Sequence, residues 1–431
     1  MPDGTATAHL IRPKLATTLA DGYSFALFRH DAPAALTVAI VALPLSMAIA
    51  VASGVSPGRG LITAIVGGFL VSALGGSRYQ IGGPAGAFIV LVAATVGKFG
   101  VEGLVLTVLM SGAMLTVLGA VRLGGLIRHV PHAVAVGFTA GIAVTIAASQ
   151  VKDLAGLTLA GPEPGPLLPK IAALAHAGST LNPAALALGA GVAAAIFALR
   201  RLRPTWPAML IAVVAASAAA ALLRLPVETV GSRFGDLPHG LPVPRLPPVT
   251  SAVVLKMLPA ALSFTLLGAI ESLLSAKVAD GMTARRHRPN MELVAQGIAN
   301  VGSALFGGLP VTGAIARTAT NVRAGARSPV AGILHAAVLL VFMLIAAPLA
   351  AFVPLAALAG VLLVVAWNMA EKAEIARLAR QWRAAAVLIA TFGLTLVKDL
   401  TTGIVAGCAL AAVFWLFRPR DDRSAGDSPA T

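Results

Sequence analysis

Fourteen apolar stretches follow one another between residues 32 and 417, at 32–53, 58–76, 84–97, 101–121, 131–150, 183–199, 205–222, 252–276, 291–307, 311–322, 328–347, 351–368, 384–397 and 401–417. Most approach the roughly 20 residues that a helix needs to cross the hydrocarbon of a bilayer. In that solvent every backbone amide must find its partner inside the protein, which favours helices as the spanning element. The composition agrees, with 58% hydrophobic and 11% charged residues and a mean hydropathy of +0.88, values foreign to a soluble domain. The expectation is an all-α polytopic membrane protein whose solvent is the lipid bilayer.

The formal net charge of +15 invites a nucleic-acid reading, which the location of the charge argues against. With the N-terminus placed inside, most of the 32 Lys and Arg residues fall on the cytoplasmic side, the asymmetry that orients membrane proteins. No nucleic-acid partner is expected, and the basic run Arg285-Arg286-His287-Arg288 reads as a cytoplasmic loop. Residues 1–30 read as a cytoplasmic tail, not a cleaved signal, and 418–431 as a short polar tail. A localisation in the bacterial inner membrane follows. The single cysteine, Cys408, excludes an intramolecular disulfide and a multi-thiolate metal site. His129 and His132 read as interfacial side chains, and no cofactor or metal is expected. Segments 167–177 and 371–383 read as amphipathic surface helices.

Two segments do not fit a simple span. After Gly82-Gly83-Pro84-Ala85-Gly86-Ala87-Phe88 the apolar run lasts only about ten residues, too short to cross alone. The second carries Gly308, Pro310 and Gly313 and then a charge, Arg317. An irregular entry followed by a half-helix solves both length problems, and such backbone is tolerated in a membrane where it is buried in protein or lines a cavity. The second helix is expected to begin near Val311, with Arg317 in its second turn. Between the halves lies a connector, 224–251, rich in proline and placed on the extracytoplasmic side. It separates seven spans (31–223) from seven (252–417).

The broken elements match across that divide. Pro44 lies 40 residues before Pro84, and Glu271 lies 39 before Pro310. An odd number of spans per half gives the two copies opposite orientation, a 7+7 inverted repeat in which spans three and ten are half-helices meeting near the midplane. Their opening amides, at Gly86, Ala87 and Phe88 and at Thr312, Gly313 and Ala314, together with Arg317 form an expected anion site. Ser46, beside the proline of span one, is a further candidate for the substrate side, with a hydroxyl bonded back to its own helix as the alternative. Glu271 shares one helix face with Phe264, Gly268 and Ser275. A charge at mid-membrane costs about 2.5–3.5 kcal/mol, so Glu271 and Arg317 need a reason. Ionised, Glu271 satisfies Arg317 and repels an anion; protonated, it leaves Arg317 free to bind one, coupling anion to proton. A salt bridge that only locks spans eight and ten is the competing reading. His335 is the remaining ionisable candidate in a span.

These motifs resemble the SulP (sulfate permease) anion transporter family over residues 30–417. The matching residues run from Leu43 to Ala50, through Gly83-Pro84 and Gly268-Ala269-Ile270-Glu271-Ser272, to the stretch from Pro310 to Asn321. The resemblance implies fourteen spans, a core (spans one to four and eight to eleven) moving against a gate domain, and an anion held between spans one, three, eight and ten. Leu45 stands where many members have Gln, and Ile49 where Tyr or Phe is usual. The C-terminal STAS domain common in the family is not expected here. Glu271 with Arg317 looks like the bacterial proton-coupled carboxylate branch, while other segments look like sodium-coupled bicarbonate members.

The expected function is secondary active transport of a small anion such as a C4-dicarboxylate, bicarbonate or sulfate, by proton symport. Sodium-coupled bicarbonate transport, an exchanger or channel, and a nucleobase permease are the alternatives; an enzyme is disfavoured by the lack of a nucleophile, metal or paired-acid motif. A homodimer is an open expectation.

Overall fold

The computed structural model describes residues 11–125, 131–161, 163–164, 167–204, 206–247, 251–398 and 400–417. His129 and the tail residues 1–10 and 418–431 lie outside these. The chain opens with α1 (Lys14–Ala20), α2 (Phe25–Ala52), α3 (Pro57–Ile62) and α4 (Gly68–Leu74), the last two joined by a π turn over Thr63–Gly67. A short strand β1 (Gly82–Gly83) and a 3-10 turn, Gly86–Phe88, precede α5 (Ile89–Ala120) and α6 (His132–Ala155). Then come α7 (Leu167–His176), α8 (Pro183–Leu202), α9 (Ala208–Leu222) and α10 (Val230–Phe234). The second half holds α11 (Ser251–Thr283), α12 (Pro289–Leu305), β2 (Thr312–Gly313), α13 (Ile315–Arg323) and α14 (Val330–Ala350), followed by α15 (Leu355–Met369), α16 (Lys372–Ala379), α17 (Trp382–Val397) and α18 (Leu400–Leu416).

Each predicted apolar segment is helical over most of its length. Among the described residues, eight helical stretches are long and apolar enough to cross a membrane. Helix α5 contains two of the predicted segments, because Gly100 breaks it with φ 71 and ψ −176. The predicted tail is helical over α1 and the start of α2. Four tryptophans occur in the chain. Trp206, Trp367, Trp382 and Trp415 are all exposed and sit at helix ends near the 200–206 and 367–382 connections. Lys372 lies 3.0 Å from the Trp367 ring centroid, and Arg203 and Arg383 lie over Trp206 and Trp382. Amphipathic rings beside basic side chains are what a membrane–water interface selects.

The helices form two groups. In one, α5 packs along α11 and α12, α2 along α14, and α4 along α12 and α14; in the other, α6 packs on α15 and α17, α8 on α9 and α15, and α17 on α18. Lipid offers little hydrophobic drive between helices, so close approach through small residues must supply the contact. A methyl group on Gly297 of α12 would lie 2.5 Å from the Gly112 carbonyl of α5, an approach only glycine permits. Helix α14 shows the complementary face, with Val341, Leu344 and Ile345 exposed, as a lipid-facing stripe requires.

Polar side chains hold the helix ends together. Asp31, fully buried, accepts hydrogen bonds from the amides of Arg327 (2.7 Å) and Ser328 (3.1 Å), the Ser328 hydroxyl (2.5 Å) and the Tyr23 hydroxyl (3.1 Å). Asp31→Ala leaves those donors unsatisfied. It is expected to destabilise the fold by about 1–3 kcal/mol, seen as a lower thermal midpoint of the purified protein in detergent.

Candidate functional site

The two irregular entries cross at the centre of the first helix group. Strand β1 pairs antiparallel with β2, Gly82 opposite Gly313 and Gly83 opposite Thr312. Each entry has its own means of satisfying backbone groups that lipid cannot. For the second, the Asn300 side chain donates to the Val311 carbonyl and accepts from its amide, both at 2.9 Å, as a neighbouring strand would. The Ser303 hydroxyl donates to the Leu309 carbonyl, and Thr63 accepts from the Leu309 amide. For the first, the partners come from α13. Thr318 accepts from the Ile81 amide, Asn321 donates to the Tyr79 carbonyl, and Arg317 donates to the Pro84 carbonyl. The run from Arg317 to Asn321 is thus the frame that lets a non-helical chain exist at this depth.

Helix α13 begins at Ile315, four residues later than expected, because Thr312 and Gly313 are committed to the strand. Arg317 therefore lies in its first turn. Long helical side chains lean toward the N-terminus, and the guanidinium reaches back across β1. It is 1% exposed; Nε and Nη1 have no hydrogen-bond partner among the described residues. Gly83 makes room for it: φ there is 154, and a methyl group would sit 2.2 Å from Nη1 of Arg317. Gly83→Ala is expected to displace the guanidinium while the helices stay assembled. Anion affinity should fall about tenfold or more, the worth of one charge-assisted hydrogen bond, with an unchanged elution profile in gel filtration.

Glu271 does not pair with Arg317. No ion pair joins them among the described residues, and the Glu271 carboxylate instead accepts from the Thr312 hydroxyl at 3.3 Å. This corrects both the expectation that Glu271 directly satisfies Arg317 and the simple structural salt bridge. The rest of its predicted face does pack inward. Phe264 meets Phe88 edge-on at 5.4 Å, Ser275 donates to Thr318 at 3.1 Å, and a methyl group on Gly268 would touch Leu115, Phe88 and Thr312.

A cavity of about 290 Å³ lies where the two helix groups meet. Gly86, Ala87, Glu271, Ala314 and Arg317 all line it, so the structure brings these predicted residues together. Four others stand apart from it. Thr312 and Gly313 are in the strand, with the Gly313 amide directed to the Ser272 hydroxyl at 3.4 Å. The Phe88 amide is taken by the Ala85 carbonyl at 3.1 Å. Ser46 is fully buried with its carbonyl against Gly60, and it lines no part of the cavity. The Ala314 amide is likewise used, donating to Ile81 at 3.0 Å. The first-turn amides of α13, Ile315 and Ala316 among them, have no partner within the helix. His335 is fully buried, with no hydrogen-bond partner for either ring nitrogen among the described residues, and lies outside the cavity lining.

Sequence reasoning missed most of the apolar walls. Val41, Leu45 and Ile49 of α2 recur every four residues, and Leu267, Ile270 and Leu274 of α11 fall on one face. Phe138 and Thr139 of α6 and Val365 of α15 complete the opposite side. Leu45 and Ile49, the positions expected to differ from the family pattern, are both in this wall. At the other end the cavity reaches the exposed residues Arg200, Asn368 and Glu371, so access runs from the side carrying the tryptophans.

Comparison with known proteins places this arrangement. Residues 28–392 match the model of the sulfate permease family. A Bacillus subtilis (strain 168) protein named as a sulfate transporter, YvdB, is 42% identical over 92% of this chain and 75% of its own. The bicarbonate transporter BicA of Picosynechococcus sp. is 30% identical over 91% of this chain and 71% of its own. Among solved structures, the transmembrane domain of a cyanobacterial BicA is similar with a TM-score of 0.81 at 30% identity, covering 92% of this chain and all of that one. The inward-facing state of murine Slc26a9 shares the fold, with a TM-score of 0.86 at 18% identity over 97% of this chain and 73% of that one. With the half-helix crossing, the buried arginine and the cavity between two helix groups in place, the chain belongs to the sulfate permease family.

Proposed function

We propose that the protein is a secondary active transporter that moves a small anion with a proton by alternating access. The observation that carries this reading is a buried arginine with two nitrogens that have no partner among the described residues, in a cavity whose buried end also holds the carboxylate of Glu271. The one acid near it, Glu271, makes no direct ion pair with it among the described residues, and a buried cation not directly paired is costly to keep, so an entering anion supplies the missing contact. In the same reading the fourteen helical segments are spans of a 7+7 inverted repeat, with both termini cytoplasmic in a bacterial inner membrane. The first helix group is the core and the second the gate, and the cavity at their junction is the inward-open site. The relatives named for sulfate and bicarbonate support an anion as cargo.

Protonation of Glu271 removes the one negative charge near Arg317, and the anion then takes its place. Release to the cytoplasm is favoured when Glu271 loses its proton and competes again. Uptake by reconstituted proteoliposomes under an imposed pH gradient tests this. Accumulation that ignores the pH gradient and follows sodium overturns proton coupling and favours the second reading, sodium-coupled bicarbonate transport, which the likeness to BicA supports. Tracer exchange without net accumulation favours an exchanger.

A further inference from the structure

The walls of the cavity say more about its occupant than its charge does. The donors converge at one end, where Arg317 stands between the first turns of the two half-helices. Away from that end, Leu45 and Ile49 of α2, Leu267 and Ile270 of α11, and Phe138 of α6 present hydrocarbon, and the two hydroxyls that also line the cavity, Thr139 and Thr320, donate to the backbone of their own helices. A strongly hydrated oxyanion bears charge on every face and needs donors all around it when it leaves water. This cavity offers them on one side only. Its volume, about 290 Å³, leaves room for an apolar chain between the buried end and the exposed mouth. Within the buried part the one cation of the lining is Arg317; the other arginine, Arg200, is exposed, as is Glu371. A second carboxylate on the substrate would therefore meet either hydrocarbon or the solvent-exposed mouth, where Arg200 and Glu371 are both present.

Building on the anion-transport reading, we propose that the occupant is an organic monocarboxylate, its carboxylate at Arg317 and the half-helix ends and its short apolar chain against Leu45, Ile49, Leu267 and Phe138. The apolar side chains of Leu45 and Ile49 make the chain-binding half of the pocket. They are the specificity-determining positions of this protein.

Calorimetric titration of the purified protein with formate, acetate, propionate and butyrate, beside bicarbonate, sulfate and succinate, tests the assignment. Affinity is expected to rise about fourfold per added methylene while the chain still finds wall to bury, and to exceed that for the three comparison anions. Ile49→Ala should move the optimum to a longer chain, and Leu45→Gln should flatten the series, so that one informative variant remains if the other fails to fold. Arg317→Ala should remove binding of every member. A flat series, or tighter binding of bicarbonate, sulfate or succinate that Arg317→Ala still abolishes, overturns the monocarboxylate assignment and leaves anion transport standing. Binding of no anion at all, or binding indifferent to Arg317→Ala, overturns both.

Discussion

Arg317→Ala is expected to abolish anion binding while leaving the helices assembled. The guanidinium is the one buried cation of the cavity lining, and Nε and Nη1 have no partner to lose among the described residues. What the substitution removes from the fold is the bond to the Pro84 carbonyl; Thr318 and Asn321 still hold the first entry through Ile81 and Tyr79. Hydrogen bonds to a charged group contribute about 1.5–3 kcal/mol each, so affinity should fall by about ten- to hundredfold for each one lost, and more when two nitrogens serve the anion. Arg317→Lys keeps the charge but not the planar fork, and its single ammonium would have to choose between Pro84 and the anion. It should bind more weakly than the native protein and better than the alanine variant. Titration of the three proteins measures the series; equal affinity in all three would mean that the anion is held by the helix ends alone.

The second large effect is expected at Glu271. For one proton moved with one anion, each unit of imposed pH gradient is worth about 1.4 kcal/mol, or about tenfold accumulation. Glu271→Gln should reduce that to no accumulation. Glutamine imitates the protonated acid, so binding and tracer exchange across the membrane should survive, and the Thr312 hydroxyl keeps an amide oxygen to donate to. The diagnostic is the separation of the two readouts in one set of proteoliposomes. Loss of exchange together with accumulation would point to a structural role for the carboxylate, and unchanged pH-driven uptake would remove it from the coupling mechanism.

Much of this architecture is legible in the sequence because the bilayer is an unforgiving solvent. Apolar runs of spanning length stand out from any connector, a run of ten residues after Gly83-Pro84 announces a half-helix, and an arginine or glutamate inside such a run is rare enough to mark a site. The cavity walls were not legible for the same reason. In a helix that is apolar all round, the face that lines a cavity at Leu45 and Ile49 and a face that meets lipid are written in the same residues. Ser46 illustrates the converse: a polar residue beside a proline reads as substrate-facing, yet it is packed against Gly60 of α3.

The sequence by itself determined the helical segments, the two interrupted ones, and the pair of charges placed deep within them. Only the tertiary structure decided how those charges are used. That α13 starts at Ile315 depends on Thr312 and Gly313 pairing with a strand some 230 residues earlier, and the reach of Arg317 depends on the missing side chain of Gly83 and the carbonyl of Pro84. The physical reason is the same in each case. Irregular backbone within a membrane has no water to satisfy it, so its conformation is set by whichever distant residues supply the missing hydrogen bonds, and no local pattern records which they are.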